Sequence, residues 1–501
     1  MHKLLILGLL ANVLPGAETA SVPHTRIDEL VAAQWKRLAI PPPHLCTDAV
    51  FVRRAYLDVI GTLPTAEEAS SFLADSNPAR RSILIDKLLD REEFVDYWAM
   101  KWSDLLRIKA EFPINLWPNA GQSYYNWVRS ALRANQPYDQ FARDLLTASG
   151  SNFRVPPANF YRAMQNKEPK GIAQTVALTF LGARFEKWPA DRQAGMAAFF
   201  SQVGYKETGE WKEEIVYFDP AKKPGTPVFP DGAPARIAPG QDPRQVFADW
   251  LVSSRNSAFS AAIVNRVWSW LLGRGIVQEP DDLRPDNPPE NPELLAFLRQ
   301  EFIASHYDLK HLYRLILTSQ TYQLSSLADS TAHFAAYPLR RLDAEVLIDA
   351  INQVTGASET YTSSIPEPYT FMPDFQRAIA LPDGSISSSF LEEFGRPPRD
   401  TGLESERNNR LTDAQRLHLL NSSHVQRKIQ QSPKLQAMMR DIRNPRELVS
   451  RIYLTILSRP PTDEEWKLVA AHSQNGNVRG QAAVVDLVWA LFNSTEFLYR
   501  H

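Results

Sequence analysis

The sequence predicts a mainly α, multi-helical protein of two domains, with a small β-rich, Pro-rich insertion near residues 205–242. Three observations lead there. Apolar residues recur at helical spacing from Ile27 to about Gly204 and again from Asp242 to about Gln320. Proline at 37 outnumbers glycine at 21, which favours rigid breaks between short helices over a large flexible sheet. A length of 501 residues suffices for about two to four units that each bury a core.

Residues 1–20 read as a secretory signal peptide. Met1-His2-Lys3 supplies a positive start, Leu4–Leu10 is unbroken by any polar residue, and small residues follow at Gly16, Ala17 and Ala20, with cleavage expected around 17–20. The apolar run is shorter than the ~20 residues that span a bilayer, and no later segment approaches that length. An exported chain, periplasmic or extracellular, with no membrane span after signal removal is the expectation.

The helices follow in order. Phe51, Ala55, Val59 and Ile60 share one face until Gly61 and Pro64 stop the turn. Thr65 and Glu68 form a T-x-x-E capping box that opens the next helix. Ile83, Ile85, Leu88 and Leu89, then Phe94, Tyr97, Trp98, Trp102 and Leu105, continue the pattern. Asn135-Gln136-Pro137 ends one helix, and Tyr138 to Leu146 reads as the next. Residues 205–242 hold six prolines and four glycines, with Glu214–Phe218 strand-like and Thr226–Pro230 extended. Arg340 to Thr355 is helical, with Asp343 and Glu345 suited to a helix start; 356–386 is loop-rich, and the C-terminal stretch is helical again. The chain thus divides into 1–20, an N-terminal helical domain at 25–204, the insertion or linker at 205–242, and a C-terminal helical domain at 243–501.

A repeat brackets these segments. Residues 51–68, FVRRAYLDVIGTLPTAEE, and 448–465, LVSRIYLTILSRPPTDEE, agree at 8 of 18 positions without a gap, where random pairing gives about one. Each copy runs on to a second match, LLDREEF at 88–94 and LFNSTEF at 491–497. The unit reads as two helices across a Pro-Thr turn, then a third helix ending at a Glu-Phe pair.

Charge and cysteine count exclude several classes. Lys+Arg 55 against Asp+Glu 57 leaves a formal net charge of −2, which removes the electrostatic reason to expect nucleic acid. The single cysteine, Cys46, excludes an intrachain disulfide framework, a cysteine zinc cluster and a CxxCH haem attachment.

Asp48–Asp58, Leu63–Thr65, Asp242–Arg244, Val264–Trp268, Arg340–Glu345 and Phe394–Pro397, with further stretches, resemble two domains of unknown function that occur together in exported planctomycete and acidobacterial proteins: the planctomycete cytochrome-associated domain and the partner domain that usually follows it. The N-terminal resemblance rests on Asp48–Asp58 (DAVFVRRAYLD), Leu63-Pro-Thr65, Phe180-Leu-Gly182 and Ala197–Phe200 (AAFF). The C-terminal one rests on Asp242-Pro-Arg244, Ala248–Leu251 (ADWL), Val264–Trp268 (VNRVW), Gly273-Arg-Gly275, Asn291–Leu295 (NPELL), Tyr307–Lys310 (YDLK), Leu315–Ser319 (LILTS), Arg340–Glu345 (RRLDAE), Phe394–Pro397 (FGRP), Trp489-Ala-Leu491 and Glu496-Phe497. One departure is specific. Where many relatives carry CxxCH, this chain has Ala183–Asp191 (ARFEKWPAD), and a second paired-cysteine stretch of some relatives reads Gly402–Glu406 (GLESE) here. The thiols and histidine of covalent haem are missing, so the resemblance implies no haem and no electron-transfer role.

The candidate ligand-binding residues lie in Phe394–Arg410, where Arg396, Arg399, Asp400, Glu404, Glu406 and Arg407 follow a Gly-Pro-Pro stop without helical order. Guanidinium groups suit bidentate capture of carboxylate, sulfate or phosphate, and paired carboxylates suit acid/base work on a glycan. The competing reading is an internal salt-bridge network bracing the loop. Asn265, Arg266, Trp268 and Trp270 keep helical spacing and read as core. His306 and His311 lie ~140° apart on an ideal helix and would not converge on a metal. Asp281, Asp282, Asp286, Asn287 and Glu290 lack calcium-loop spacing. No catalytic residue, cofactor or metal ligand is assigned. The functional expectation is an extracytoplasmic binding or scaffold protein, with polysaccharide or a co-exported protein as partner. The alternatives are a glycan-acting hydrolase or lyase using the 396–410 segment, and a redox protein, which the cysteine count disfavours.

Overall fold

A computed structural model describes residues 24–327, 330–475 and 478–501, so the expected signal peptide lies outside the described residues. The chain is mainly helical, as its spacing predicts. Helix Arg26–Arg37 opens on a Thr25/Asp28 capping box. The expected box at Thr65 forms: the Thr65 amide donates to Glu68 at 2.8 Å, and the Glu68 amide to Thr65 Oγ1 at 3.1 Å.

Both copies of the repeat fold alike. The first comprises helices Asp48–Val59, Ala66–Ala74, Arg80–Leu89 and Glu92–Leu105. The second comprises Pro445–Leu457, Asp463–Asn475, Gln481–Phe492 and Thr495–Leu498. Each first helix stops on a left-handed residue at the same place, Gly61 (φ 61°) and Ser458 (φ 62°). Thr462 and Glu465 repeat the reciprocal cap, at 2.8 and 3.2 Å. Contrary to the expected unit, Glu93-Phe94 and Glu496-Phe497 do not end the third helix but open a fourth. The reason is a break just before them, where Arg91 and Ser494 take extended N-cap dihedrals.

The copies pack together through helices Ala66–Ala74 and Pro445–Leu457. Arg53, buried in the first copy, donates to the Ile456 carbonyl at 2.7 Å and the Phe497 carbonyl at 3.0 Å of the second. Arg451 pairs with Glu67 on the surface of the same contact.

The expected β element is present, with Val203–Glu207 and Glu214–Phe218 antiparallel and Tyr205 opposite Val216. Gly150–Ser151 adds a third strand on the far edge of Glu214–Phe218. Arg340–Arg341, read from the sequence as helix, is instead a short strand paired with Tyr499–Arg500, and the helix begins at Ala344. Extended pairing there leaves Asp343 as N-cap, with its carboxylate on cations rather than on the helix amides.

The apolar core runs without interruption through the segments on either side of 205–242. Trp98 meets Trp270 at 5.6 Å and Tyr313 at 4.3 Å between ring centroids, and Tyr138 stacks on Phe259 at 4.9 Å. Buried aromatic pairs of this kind each add about 0.5–1.5 kcal/mol beyond area burial, so this seam is held as a core is.

Candidate functional site

The 394–410 segment reaches inward. Arg399 donates to Asp104 at 2.9 Å, and Arg407 bridges Asp104 at 2.6 Å to Glu345 at 2.7 Å. Arg396 reaches Glu345 at 3.5 Å and donates to the carbonyls of Asp383 and Ile386. The three guanidinium groups therefore converge on two carboxylates, one from helix Glu92–Leu105 and one from helix Ala344–Thr355. Asp400 takes Lys109 at 2.7 Å. Glu406 accepts the Asp400 amide at 2.8 Å, closing its own loop. Glu404 accepts the Trp270 indole N–H at 2.9 Å, and its amide donates to Asp281.

The electrostatics follow from burial and pairing. Burial alone would raise the Asp104 carboxyl, but Arg407 and Arg399 hold it below the ordinary range. Asp343, desolvated yet facing Lys101, Arg500 and Arg407, lies further below. Burial pushes Arg396 down to about 10, opposed by Glu345 and Asp104. Glu404 is pushed up by burial, with Lys101 and the Trp270 hydrogen bond opposing. Chemically the segment joins helix Glu92–Leu105 to helix Ala344–Thr355 through charge-assisted hydrogen bonds.

A sizeable opening lies elsewhere. A cleft of about 930 Å³ runs between residues 181–192, the loop at 229–231, residues 246–258 and the loop at 282–286. Its position coincides with the Ala183–Asp191 stretch. The Phe185–Lys187 turn and helix Ala190–Ala198 build one wall, helix Pro243–Leu251 another. Gly195 lets the insertion close in: its carbonyl accepts the Val228 amide at 3.1 Å, and a Cβ there would meet Val228 at 2.8 Å.

Two half-buried indoles line the cleft. Trp188 carries the Arg192 guanidinium over its ring at 4.0 Å. Trp250 stacks on Phe229 at 5.3 Å and donates its N–H to Asp231 at 3.0 Å. Lys187 pairs with Asp282 at 2.8 Å, and Arg284 with Asp286 at 2.8 Å. Burial would raise Asp282, but Lys187 lowers it. Arg184 and Arg255 also line the cleft and, among the described residues, have no side-chain hydrogen bond or ion-pair partner.

The cleft does not fit haem. No cysteine, histidine or methionine lines it, so neither a thioether nor an axial ligand is available. The aspartates of the groups considered from the sequence have other partners. Asp308 caps helix Leu309–Leu317 by accepting the His311 amide at 2.9 Å, and Asp281 pairs with Arg266 at 2.8 Å. Among the described residues no group of three or more His, Cys, Asp or Glu could hold a metal ion.

Sequence reasoning passed over Trp188, Phe229 and Trp250 because they stand in separate stretches. The signal that could have found them is local: Trp188-Pro189 and Phe229-Pro230 are aromatic–proline pairs in polar surroundings, where a core helix would not place them.

Comparison with known proteins finds two family models that match the chain one after the other. Residues 26–203 match the model of PSCyt2, a protein of unknown function (DUF1549), and residues 243–473 match that of PSD1, a protein of unknown function (DUF1553). No curated protein and no solved structure matches the chain.

Proposed function

Taking as premise that the chain belongs to the family joining a PSCyt2 domain to a PSD1 domain, both of unknown function, we propose that it is an extracytoplasmic binding protein whose 930 Å³ cleft holds a segment of polysaccharide. The observation that carries this reading is the pair of half-buried indoles, Trp188 and Trp250, on one cleft with Arg184 and Arg255 unpaired beside them. Sugar rings offer apolar C–H faces to aromatic planes and hydroxyls to planar donors and acceptors, and the cleft supplies both. Its volume falls within the range of about 300–1,000 Å³ typical of ligand sites. Export rests on the signal-like start of the sequence.

The test is a glycan array probed with the purified secreted chain, alongside Trp188→Ala and Trp250→Ala. A preference for one glycan class, weakened about tenfold or more by either substitution, is the expected result. An array without signal, or a preference that both substitutions leave unchanged, overturns the reading.

A further inference from the structure

The two copies of the repeat differ in how their interiors are filled. In the first, buried Phe51 stacks on Phe72 at 6.0 Å, and Arg81 lies over Phe51 at 4.8 Å, held there by Asp48 at 2.8 Å. The aligned positions of the second copy carry Leu448, Val469 and Val484. Two benzyl groups and a guanidinium are thus replaced by short aliphatic chains on the same helical frame.

A pocket of about 500 Å³ opens among these helices. Leu448, Trp466 and Val469 line it half-buried, and it runs inward to Ile452, Leu487 and Leu491, which are buried. Acidic, basic and imidazole side chains line it as well. Glu465 is held by Arg459 at 2.7 Å and His472 by Asp486 at 3.3 Å. Arg443 and Arg479 are exposed and, among the described residues, have no hydrogen-bond or ion-pair partner for their side chains. The uncompensated charge at this pocket is therefore positive.

We propose that the second repeat binds a monomeric long-chain carboxylate, with its alkyl chain among the aliphatic side chains and its headgroup on Arg443 and Arg479. An apolar pocket with a few placed polar groups is the usual form of a small-molecule site. Guanidinium groups match a carboxylate bidentately. The aliphatic lining accepts the chain, and the charge selects an anionic headgroup over a neutral or cationic one. This site is separate from the cleft at Trp188 and Trp250, and neither depends on the other.

Calorimetric titration of the full secreted chain with palmitate tests it, with 1-hexadecanol and hexadecyltrimethylammonium as neutral and cationic controls. Saturable palmitate binding is expected. Leu448→Phe with Val469→Phe, which restores the first copy's residues, should abolish it without lowering the melting temperature. Arg443→Glu with Arg479→Glu, on exposed positions that leave the fold intact, should weaken palmitate about tenfold or more and leave 1-hexadecanol unchanged. The second variant decides the matter if the first fails to fold. The proposal is overturned if palmitate does not bind saturably, if it binds no better than the controls, or if the charge-reversed variant binds it as before. Sedimentation with phosphatidylglycerol vesicles in the absence of palmitate binding also overturns it, in favour of a lipid surface.

Discussion

In the first repeat Arg91 joins Glu68 at 2.7 Å to Glu93 at 2.6 Å and lies 5.7 Å from the Tyr56 ring. In the second, Arg459 joins Glu465 at 2.7 Å to Glu496 at 2.6 Å and lies 5.7 Å from the Tyr453 ring. Both glutamates and the tyrosine are aligned residues. The arginines are not: Arg91 aligns with Ser494, and Arg459 with Thr62. One cluster draws its cation from the start of the fourth helix, the other from the turn after the first. Both copies thus place a guanidinium between two carboxylates at this point, each supplied from a different side. Identity at 8 of 18 positions therefore understates how alike the copies are.

The copies differ more in their surroundings. The first is central, its Arg53 and Arg54 both buried, whereas Ser450 and Arg451 at the aligned positions are not. Replacing Arg53 by alanine strands two buried carbonyls and should cost about 3–5 kcal/mol in denaturant unfolding. Arg451→Ala should change stability by no more than about 0.5 kcal/mol. Equal effects would end the distinction between a central and a peripheral copy.

The arginine clusters give the next largest effect. The Arg459 side chain is 10% exposed and that of Arg91 32%. Arg459→Ala should therefore cost about 2–3 kcal/mol and Arg91→Ala about 1 kcal/mol. Moving the cation within the first copy, by Arg91→Ser with Thr62→Arg, should recover part of the loss seen in Arg91→Ser alone. A double variant no more stable than the single one would refute the idea that either side can supply it.

Acid should act on both clusters. Burial would raise Glu465, but Arg459 holds it below the ordinary glutamate range; in Glu93 the Arg91 hydrogen bond lowers the carboxyl, against burial. A carboxyl depressed in the folded state stabilises above its unfolded value near 4.5 and loses that contribution as pH falls through the folded value. Melting temperature should drop below about pH 4.5, and Glu465→Gln should flatten that drop more than Glu93→Gln does. A steeper slope from Glu93 would reverse the order of the copies.

The smallest effect on stability belongs to the cleft. Arg184→Ala and Arg255→Ala have no partner to strand, so each should leave unfolding within about 0.5 kcal/mol. Binding of an acidic glycan should weaken in these variants and fall with added salt.

Much of this architecture is legible in the sequence because it is local. The Thr65/Glu68 box, the stop at Gly61 and the Glu214–Phe218 strand each depend on residues within a turn or two. Gly150–Ser151 escapes notice because a two-residue strand carries no period. The partners of the 396–410 segment are illegible for a different reason: Arg399 reaches Asp104 and Arg407 reaches Glu345 across most of a segment or more of intervening chain, and charge alone does not say which carboxylate each will meet. The cleft combines both obstacles, drawing an indole from each of two distant stretches.

The bond from Arg53 to the Ile456 carbonyl spans 403 residues of chain. A guanidinium aimed at carbonyls so distant cannot leave water until they arrive, because burying it alone would be prohibitive. The first repeat therefore cannot complete itself ahead of the second, and closing so long a loop is slow by entropy. The first repeat should therefore reach its final packing only when the two copies meet.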